Sequence, residues 1–283
     1  MCDILFYIRQ REIRCMIKTL SIICLLFISL SFFSTKTFAG LPLLSDLAEN
    51  HNLPKPYGIS IDVLSLEQDY KIDQFSLDLP GFELIDTSTI EIRSKTDYSA
   101  LKFDAWLLPF LNAFVMLGKI NGSTQVALES VEIPTLPARF NNININVDGN
   151  VIGTGLTAVV GGDKWFSSLT ISYSESDLNG ALSSGIETWT VMPRVGTQID
   201  KTDVWLTAMY LDLTEKHKGR IDLGVSTPFG PLAPVNFDLS LEPTDIINYG
   251  LGARYNFSDH FNATLEFTFG DREHSFFNLN YRF

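Results

Sequence analysis

Four histidines, His51, His217, His260 and His274, are the side chains that titrate near neutral pH, so acid–base or metal chemistry would have to begin with them. The pair His274-Ser275 offers a base beside a hydroxyl nucleophile. Adjacent residues of an extended strand point to opposite faces, so these two cannot meet within one strand. A looser cluster is conceivable. His274 with Asp271 and Glu273 could share a rim with Asp212, Glu215 or His217, as an acid–base or metal site, or the same residues could simply be a solvated acidic loop. A second set of charges, Lys102, Asp104, Arg194, Arg254, Glu266 and Arg282, falls on the polar faces of alternating stretches. Opposite charges on one enclosed face pair with one another. No residue is assigned a catalytic, cofactor-binding or metal-binding role on this pattern, and no cofactor is expected.

What positions these residues follows from the rest of the chain. Of 283 residues, 19% are charged and 45% are apolar, which excludes a disordered chain. A net charge of −12 argues against a nucleic-acid partner. Residues 16–39 have the three parts of a cleaved export signal. Lys18 is the basic start, Leu20–Phe33 the apolar run, and Thr37 and Ala39 the small residues before cleavage. Residues 1–15 either extend the basic region or precede the true start at Met16, and the second reading is preferred. The apolar run falls short of the ~20 residues a membrane helix needs. Cleavage after Ala39 would leave Gly40–Phe283, with 16 basic and 31 acidic residues, a net charge of −15. Cys2, Cys15 and Cys24 would leave with the signal, so no disulfide or thiolate site is expected.

After residue 40 the hydrophobic period is two, not 3.6. In Phe261–Phe269 every odd residue is apolar and every even one polar. Phe277–Phe283 and Ile247–Phe257 repeat the rule. Trp189–Ile199, Trp165–Tyr173, Asn142–Val159 and Leu101–Leu107 follow it, the third with Ile143, Ile145 and Val147 on its apolar face. Tyr57–Leu66, Leu111–Lys119 and Val204–Leu213 are noisier, and together they make ten strands, within a range of eight to twelve. Short connections at 109–110, 161–164, 200–203 and 258–260 alternate mostly with long ones at 70–95, 127–141, 174–187 and 214–245. Residues 221–225 and 235–241 read as a hairpin beyond the membrane, and 75–84 with 89–93 as another.

This is the layout of an all-β, transmembrane, antiparallel up-and-down barrel. A soluble β-sandwich also alternates, but here the outward set is aromatic and aliphatic in every strand, and the opposite set is small and neutral. Aromatic residues cluster at strand ends, namely Trp106, Phe110, Trp165, Phe166, Trp205, Tyr255, Phe257, Phe261, Tyr281 and Phe283, as an interfacial girdle would. The chain therefore divides into a signal region (1–39), a short periplasmic segment (40–56) and the barrel (57–283).

The C-terminal strand, with Phe277, Leu279, Tyr281 and Phe283 at alternate positions, resembles the terminal recognition strand of Gram-negative outer-membrane β-barrel proteins. That resemblance implies insertion by the barrel-assembly machinery, residence among outer-membrane lipid, and Phe277, Leu279, Tyr281 and Phe283 as the assembly signal. Segments such as 103–114 and 192–196 are similar to a group of uncharacterised proteobacterial outer-membrane proteins, which lends no activity. Some outer-membrane barrels are hydrolases that use His with Ser, Asn or Asp, the activity that a rim cluster around His274 would imply. Pro193 departs from a good strand because it cannot donate a ladder hydrogen bond, and a bulge at 192–194 or a place near the rim is expected. The function read from the sequence is a non-enzymatic surface or structural barrel whose loops could meet an unidentified ligand. A small-solute channel and a rim hydrolase are the alternatives.

Overall fold

The structure, a computed structural model, describes residues 41–44, 54–78, 90–127, 142–179, 183–221, 226–227, 230–231 and 233–283. The export signal lies outside these. The strands are β1 (Tyr57–Leu77), β2 (Ile92–Leu108), β3 (Leu111–Val126), β4 (Ile143–Gly161), β5 (Trp165–Asn179), β6 (Ser183–Ile199), β7 (Thr202–Ile221), the two-residue β8 (Ser226–Thr227) and β9 (Gly230–Pro231), β10 (Val235–Pro243), β11 (Ile247–Asn256), β12 (Phe261–Phe269) and β13 (Arg272–Arg282). Ten of them, β1–β7 and β11–β13, pair antiparallel in chain order and close into a barrel where β1 meets both β2 and β13. Closure leaves no open edge in lipid, where an unmet backbone group costs several kcal/mol. The seam is finished by Phe283, whose N–H donates to the Tyr57 carbonyl at 3.0 Å and whose carbonyl accepts from Tyr57 at 3.2 Å.

The end that carries the tight turns at 109–110, 162–164, 200–201 and 257–260 is here called the lower end. Near it every strand turns apolar residues outward. Ile61, Val63, Leu101, Phe103, Val115, Leu117, Ile152, Leu156, Leu169, Leu206, Tyr249, Leu251, Leu265 and Phe267 are all exposed. A continuous apolar belt of that extent is far larger than a water-facing surface tolerates. On β4 it runs from Ile152 to Val160. At ~3.3 Å per residue and ~40° tilt that is roughly 20–25 Å, the height of an outer-membrane apolar band.

Above the belt the polarity of the wall reverses while the alternation continues unbroken. Asn144, Asn146, Asp148 and Asn150 of β4 point outward, and Ile145, Val147 and Val151 point inward and are buried. The expectation that Ile145 and Val147 face lipid is therefore corrected. They pack inside with Ile120, Leu178, Tyr98 and Ile186. β7 behaves likewise, with Leu211 and Leu213 buried inside and Asp212, Lys216 and Lys218 exposed. The upper half is thus a water-facing barrel with a largely apolar interior that also buries Glu215 and His217, stacked on a lipid-facing barrel with a polar core.

The strands are also longer than the sequence pattern indicated. Residues 70–77, 92–95, 174–179, 183–187 and 214–221 belong to strands rather than loops. β12 and β13 are short because Gly270, at φ +117°, and Asp271 turn the chain at mid-height. β1 and β7 continue upward past that tip, and β10 fills the gap between them. Leu241 pairs with Glu215 of β7 and Phe237 with Leu77 of β1. The wall therefore has ten strands below the tip and eight above it. Phe75 consequently pairs with Leu239 of β10, while Ile92 and Arg93 pair with Tyr70 and Asp69; the rest of the expected 75–84 and 89–93 hairpin lies outside the described residues.

Pro193 needs neither a bulge nor a rim position. The β6–β7 register is the same on both sides of it, from Val191↔Tyr210 to Arg194↔Thr207. Only the bridges at 192 and 193 are missing, and the Thr207 hydroxyl donates to the Pro193 carbonyl at 3.3 Å. The aromatic girdle is smaller than expected. Phe110, Trp165, Tyr255, Phe257, Phe261, Tyr281 and Phe283 are exposed on the outside. Trp106, Phe166 and Trp205 occupy inward positions, the last 8% exposed, where they fill the lumen.

Candidate functional site

The even residues of β1, β2, β6, β11, β12 and β13 and the odd ones of β7 line the interior. Lys102, Asp104, Arg194, Arg254, Glu266 and Arg282 all lie on this inner face. At the lower mouth Arg282 Nη1 meets Asp104 Oδ1 at 2.8 Å, and Asn112 donates to the same oxygen at 2.7 Å. The contact crosses β1 at Gly58, where any β-carbon would collide with the Asp104 carboxylate. Arg254 binds Asp203 at 2.6 Å. One layer up, Lys102 binds Asp62 at 2.9 Å, and Asn278 donates to the other Asp62 oxygen.

The tightest knot centres on Glu266, which has no solvent exposure. It accepts from Arg194 Nε at 2.8 Å and from the Trp205 indole at 2.7 Å. The Trp205 ring fits because Gly252 leaves space that a side chain would take. Arg194 also lies over that ring at 5.8 Å. Removing one partner of such a pair strands the other at a cost of ~3–5 kcal/mol.

At the level of the β12–β13 tip a second knot closes the lumen. Arg272, 1% exposed, donates through Nε to Gln68 at 2.8 Å and through Nη2 to the Asp245 carbonyl. Gln68 donates to the Tyr70 hydroxyl, and Asn248 donates to the Arg272 carbonyl at 3.0 Å. Burial and the neighbouring Glu215 charge push the Tyr70 hydroxyl well above its usual pKa. Glu215 in turn lies 2.6 Å from His217. Nη1 of Arg272, Oδ1 of Asn248 and Nε2 of His274 have no protein hydrogen-bond partner among the described residues. Buried polar atoms of this kind are ordinarily met by ordered water.

The rim cluster that the sequence suggests is not assembled. His274 points inward, 3% exposed, while Glu273 and Ser275 point outward. Asp212 also points outward, on the opposite side of the wall from Glu215 and His217. Asp271 is exposed at the tip, where hydrogen bonding to Asp245, and then that group's charge, raise its pKa. Inside, Thr268 lies 3.0 Å from His274 Nδ1, and His274 Nε2 lies 3.6 Å from Glu266. This hydroxyl–imidazole–carboxylate order is that of a nucleophile relay. Yet Thr268, His274 and Glu266 are each at most 3% exposed, and Glu266 is already committed to Arg194 and Trp205. No group of three or more His, Cys, Asp or Glu side chains among the described residues is placed to hold a metal ion. What the arrangement does chemically is pair charges and fill the lumen. Gln68, Tyr70 and Arg272 were missed by sequence reasoning. Their signal was present in the inward parity of strands whose upper parts had been read as loops.

Fold and lining together define a transmembrane β-barrel with charge pairs across its interior. No model of a known protein family and no curated protein matches the chain. Among solved structures it is similar to the outer membrane protease OmpT from Escherichia coli, with 11% identity and a TM-score of 0.43 over 88% of this chain and 100% of that one. It is similar also to the outer membrane protein OprG from Pseudomonas aeruginosa (10% identity, TM-score 0.38, 82% and 99% covered). A third is the translocator domain of the autotransporter NalP from Neisseria meningitidis (13%, 0.34, 85% and 92%).

Proposed function

We propose that this chain is a non-conducting, non-enzymatic outer-membrane barrel of the Gram-negative type, which holds a rigid β-extension at the cell surface. The observation that carries the reading is the reversal of wall polarity between Asn150 and Ile152 of β4, matched on β7 between Tyr210 and Asp212. A water-filled pore needs an open, wet interior along its whole length. Here Ile145, Val147, Val151, Leu211 and Leu213 pack in the upper interior, and ion pairs with buried carboxylates cross the lower one. The tight turns would face the periplasm and the extension the outside, as in barrels with short periplasmic turns. Export through the signal at 16–39, cleavage after Ala39 and insertion by the barrel-assembly machinery belong to the same reading. The sealed positions of Thr268, His274, Glu215 and His217 support a structural role for these groups over a hydrolytic one, since no substrate could reach them.

Planar-bilayer recording of the refolded protein tests this. The expected trace is flat at potentials where porins open. Stable unitary conductance steps would overturn the filled-lumen reading in favour of a channel.

A further inference from the structure

The lower lumen is filled unevenly. β6 stands across the barrel from β1, the same number of strand steps away in either direction. Followed through β2, β3, β4 and β5, the paired residues lead from Leu64 to Ser184. Followed through β13, β12, β11 and β7, they lead from Leu64 to Gly196. The stagger of a barrel is shared around its wall, so Thr190, midway between those two ends, faces Leu64 at the same height. Ser172 pairs with Thr190 and Ser174 with Thr188, while Leu64 is flanked by the rings of Tyr98 and Phe276. Four hydroxyls thus look across the lumen at an aliphatic chain between two rings.

All seven of these side chains point inward and are partly exposed. In a closed wall, an inward side chain is exposed only to free space in the lumen. By contrast Ser60, Asp62, Thr207, Glu266, Asn278 and Asn280, inward on β1, β7, β12 and β13, are each at most 7% exposed. The free space is roofed by the buried cluster of Ile120, Val151 and Leu178 and floored by the Arg194–Glu266 pair. On β5 the partly exposed inward positions continue down through Thr170 and Ser168, which leads the recess toward the lower mouth.

The two sides of the recess differ in chemistry. Ser172, Ser174, Thr188 and Thr190 make no side-chain hydrogen bond to another described residue, and a hydroxyl both donates and accepts. On the facing side the one polar atom is already bound, because the Tyr98 hydroxyl donates to the Met116 sulfur at 3.2 Å. Met116 reaches that place over Gly153, where a β-carbon would collide with its methyl group. The partly exposed charges below, Lys102 and Arg194, are held by Asp62 and Glu266. A charged guest would therefore give up its hydration without a free counter-charge.

We propose that this recess binds a small uncharged amphipathic molecule, with its apolar body against Leu64, Tyr98 and Phe276 and its hydroxyl or carbonyl groups on the β5–β6 hydroxyls. The recess ends below the apolar cluster, so an occupant leaves the flat bilayer trace unchanged. The test uses Ser172→Cys in nanodiscs, which leave both mouths in water, with a small impermeant thiosulfonate as reagent and 1-naphthol as probe. Mass spectrometry of the peptide carrying the new cysteine reads the labelling rate, and Thr190→Cys is read in the same way. Both cysteines should be labelled, and saturating 1-naphthol should slow labelling to near background. 1-Naphthyl phosphate, the same ring with a charge, should not slow it, and 1-naphthol should not slow labelling of Asn146→Cys on the outer wall. With Thr188→Val and Thr190→Val added to Ser172→Cys, half-protection should need about tenfold more 1-naphthol. Unreactive cysteines in protein that keeps its folded band on gels would show that the recess is closed and overturn the proposal. Equal protection by the phosphate, equal protection at Asn146→Cys, no protection by 1-naphthol, or an unshifted dose in the valine variant would each overturn it as well.

Discussion

The lower and upper halves of this barrel use the same alternation to opposite ends. Below residue 151 of β4, outward means Ile152, Thr154, Leu156, Ala158 and Val160, and inward means Gly153, Gly155 and Thr157. Above it, outward means asparagine and aspartate, and inward means Val151, Val147 and Ile145. The backbone does not change. What changes is the solvent on each side. In the lower half the solvent outside is hydrocarbon, so the polar groups must satisfy one another inside, and they do so as four ion pairs with amide and indole donors. In the upper half the solvent is water, and the ordinary hydrophobic drive fills the interior. Stability therefore rests on charge pairing at one level, and at the other on apolar packing around a few buried polar groups such as Glu215 and His217.

The comparison breaks first at Glu266. Glu266→Ala leaves Arg194 buried without its carboxylate and should lower unfolding stability by about 3–5 kcal/mol, read from urea unfolding in lipid vesicles. A loss under about 1 kcal/mol, the size of a surface pair, would show that water reaches the lumen. The next largest effect contrasts two outward positions of one strand. Leu156→Arg puts a cation into lipid at about 2–4 kcal/mol. Asn146→Arg, ten residues up the same face, should stay within about 0.5 kcal/mol. Equal costs would erase the boundary between the halves.

A smaller thermodynamic effect is expected at Phe283, which closes the seam with Tyr57 at the lower interface. Phe283→Asp should cost about 1 kcal/mol or less in the assembled barrel, because charges near the interface are tolerated. In cells it should lower the yield of heat-modifiable protein more than Asn179→Asp does at equal expression. Equal yields would remove the assembly role from that strand.

The smallest effect is at the tip of β12–β13. The Asp271 pKa is raised by Asp245. A carboxyl whose folded pKa exceeds its unfolded value favours the folded state only while protonated, and that benefit is lost as pH rises through the folded pKa. Near neutral pH the two carboxylates therefore repel. Asp271→Asn should slow hydrogen exchange of the tip amides at pH 7, with the difference vanishing below about pH 4. Slower exchange that persisted in acid would point to a cause other than charge.

Much of the lower half was legible from residues alone. Phe261–Phe269 has its odd positions outward and its even ones inward as its alternation indicated, and ten strands close the wall. The upper half was less so, for a physical reason. Period two tells which residues share a face, not which side of the wall that face is on, so Ile145 and Val147 were grouped correctly and placed on the wrong side. β10 was recognisable as a strand, but its partner β1 lies more than 150 residues away in sequence, and no local pattern records that pairing. Trp205 and Phe166 read as girdle residues because composition cannot distinguish a ring facing lipid from one plugging the lumen beside Arg194. The ion pairs were anticipated as a class, but their partners depend on Gly58 and Gly252 leaving room for contacts across intervening strands.

The reversal of the wall is tested most directly by single cysteines on β4, in a chain whose native cysteines all precede residue 39. At each site, labelling by a membrane-impermeant thiol reagent is compared with labelling by a lipid-soluble one. Asn146→Cys should react with the impermeant reagent, Leu156→Cys only with the lipid-soluble one, and Val147→Cys with neither. Impermeant labelling of Val147→Cys, with Asn146→Cys protected, would put the apolar face of the upper half outside and contradict the account.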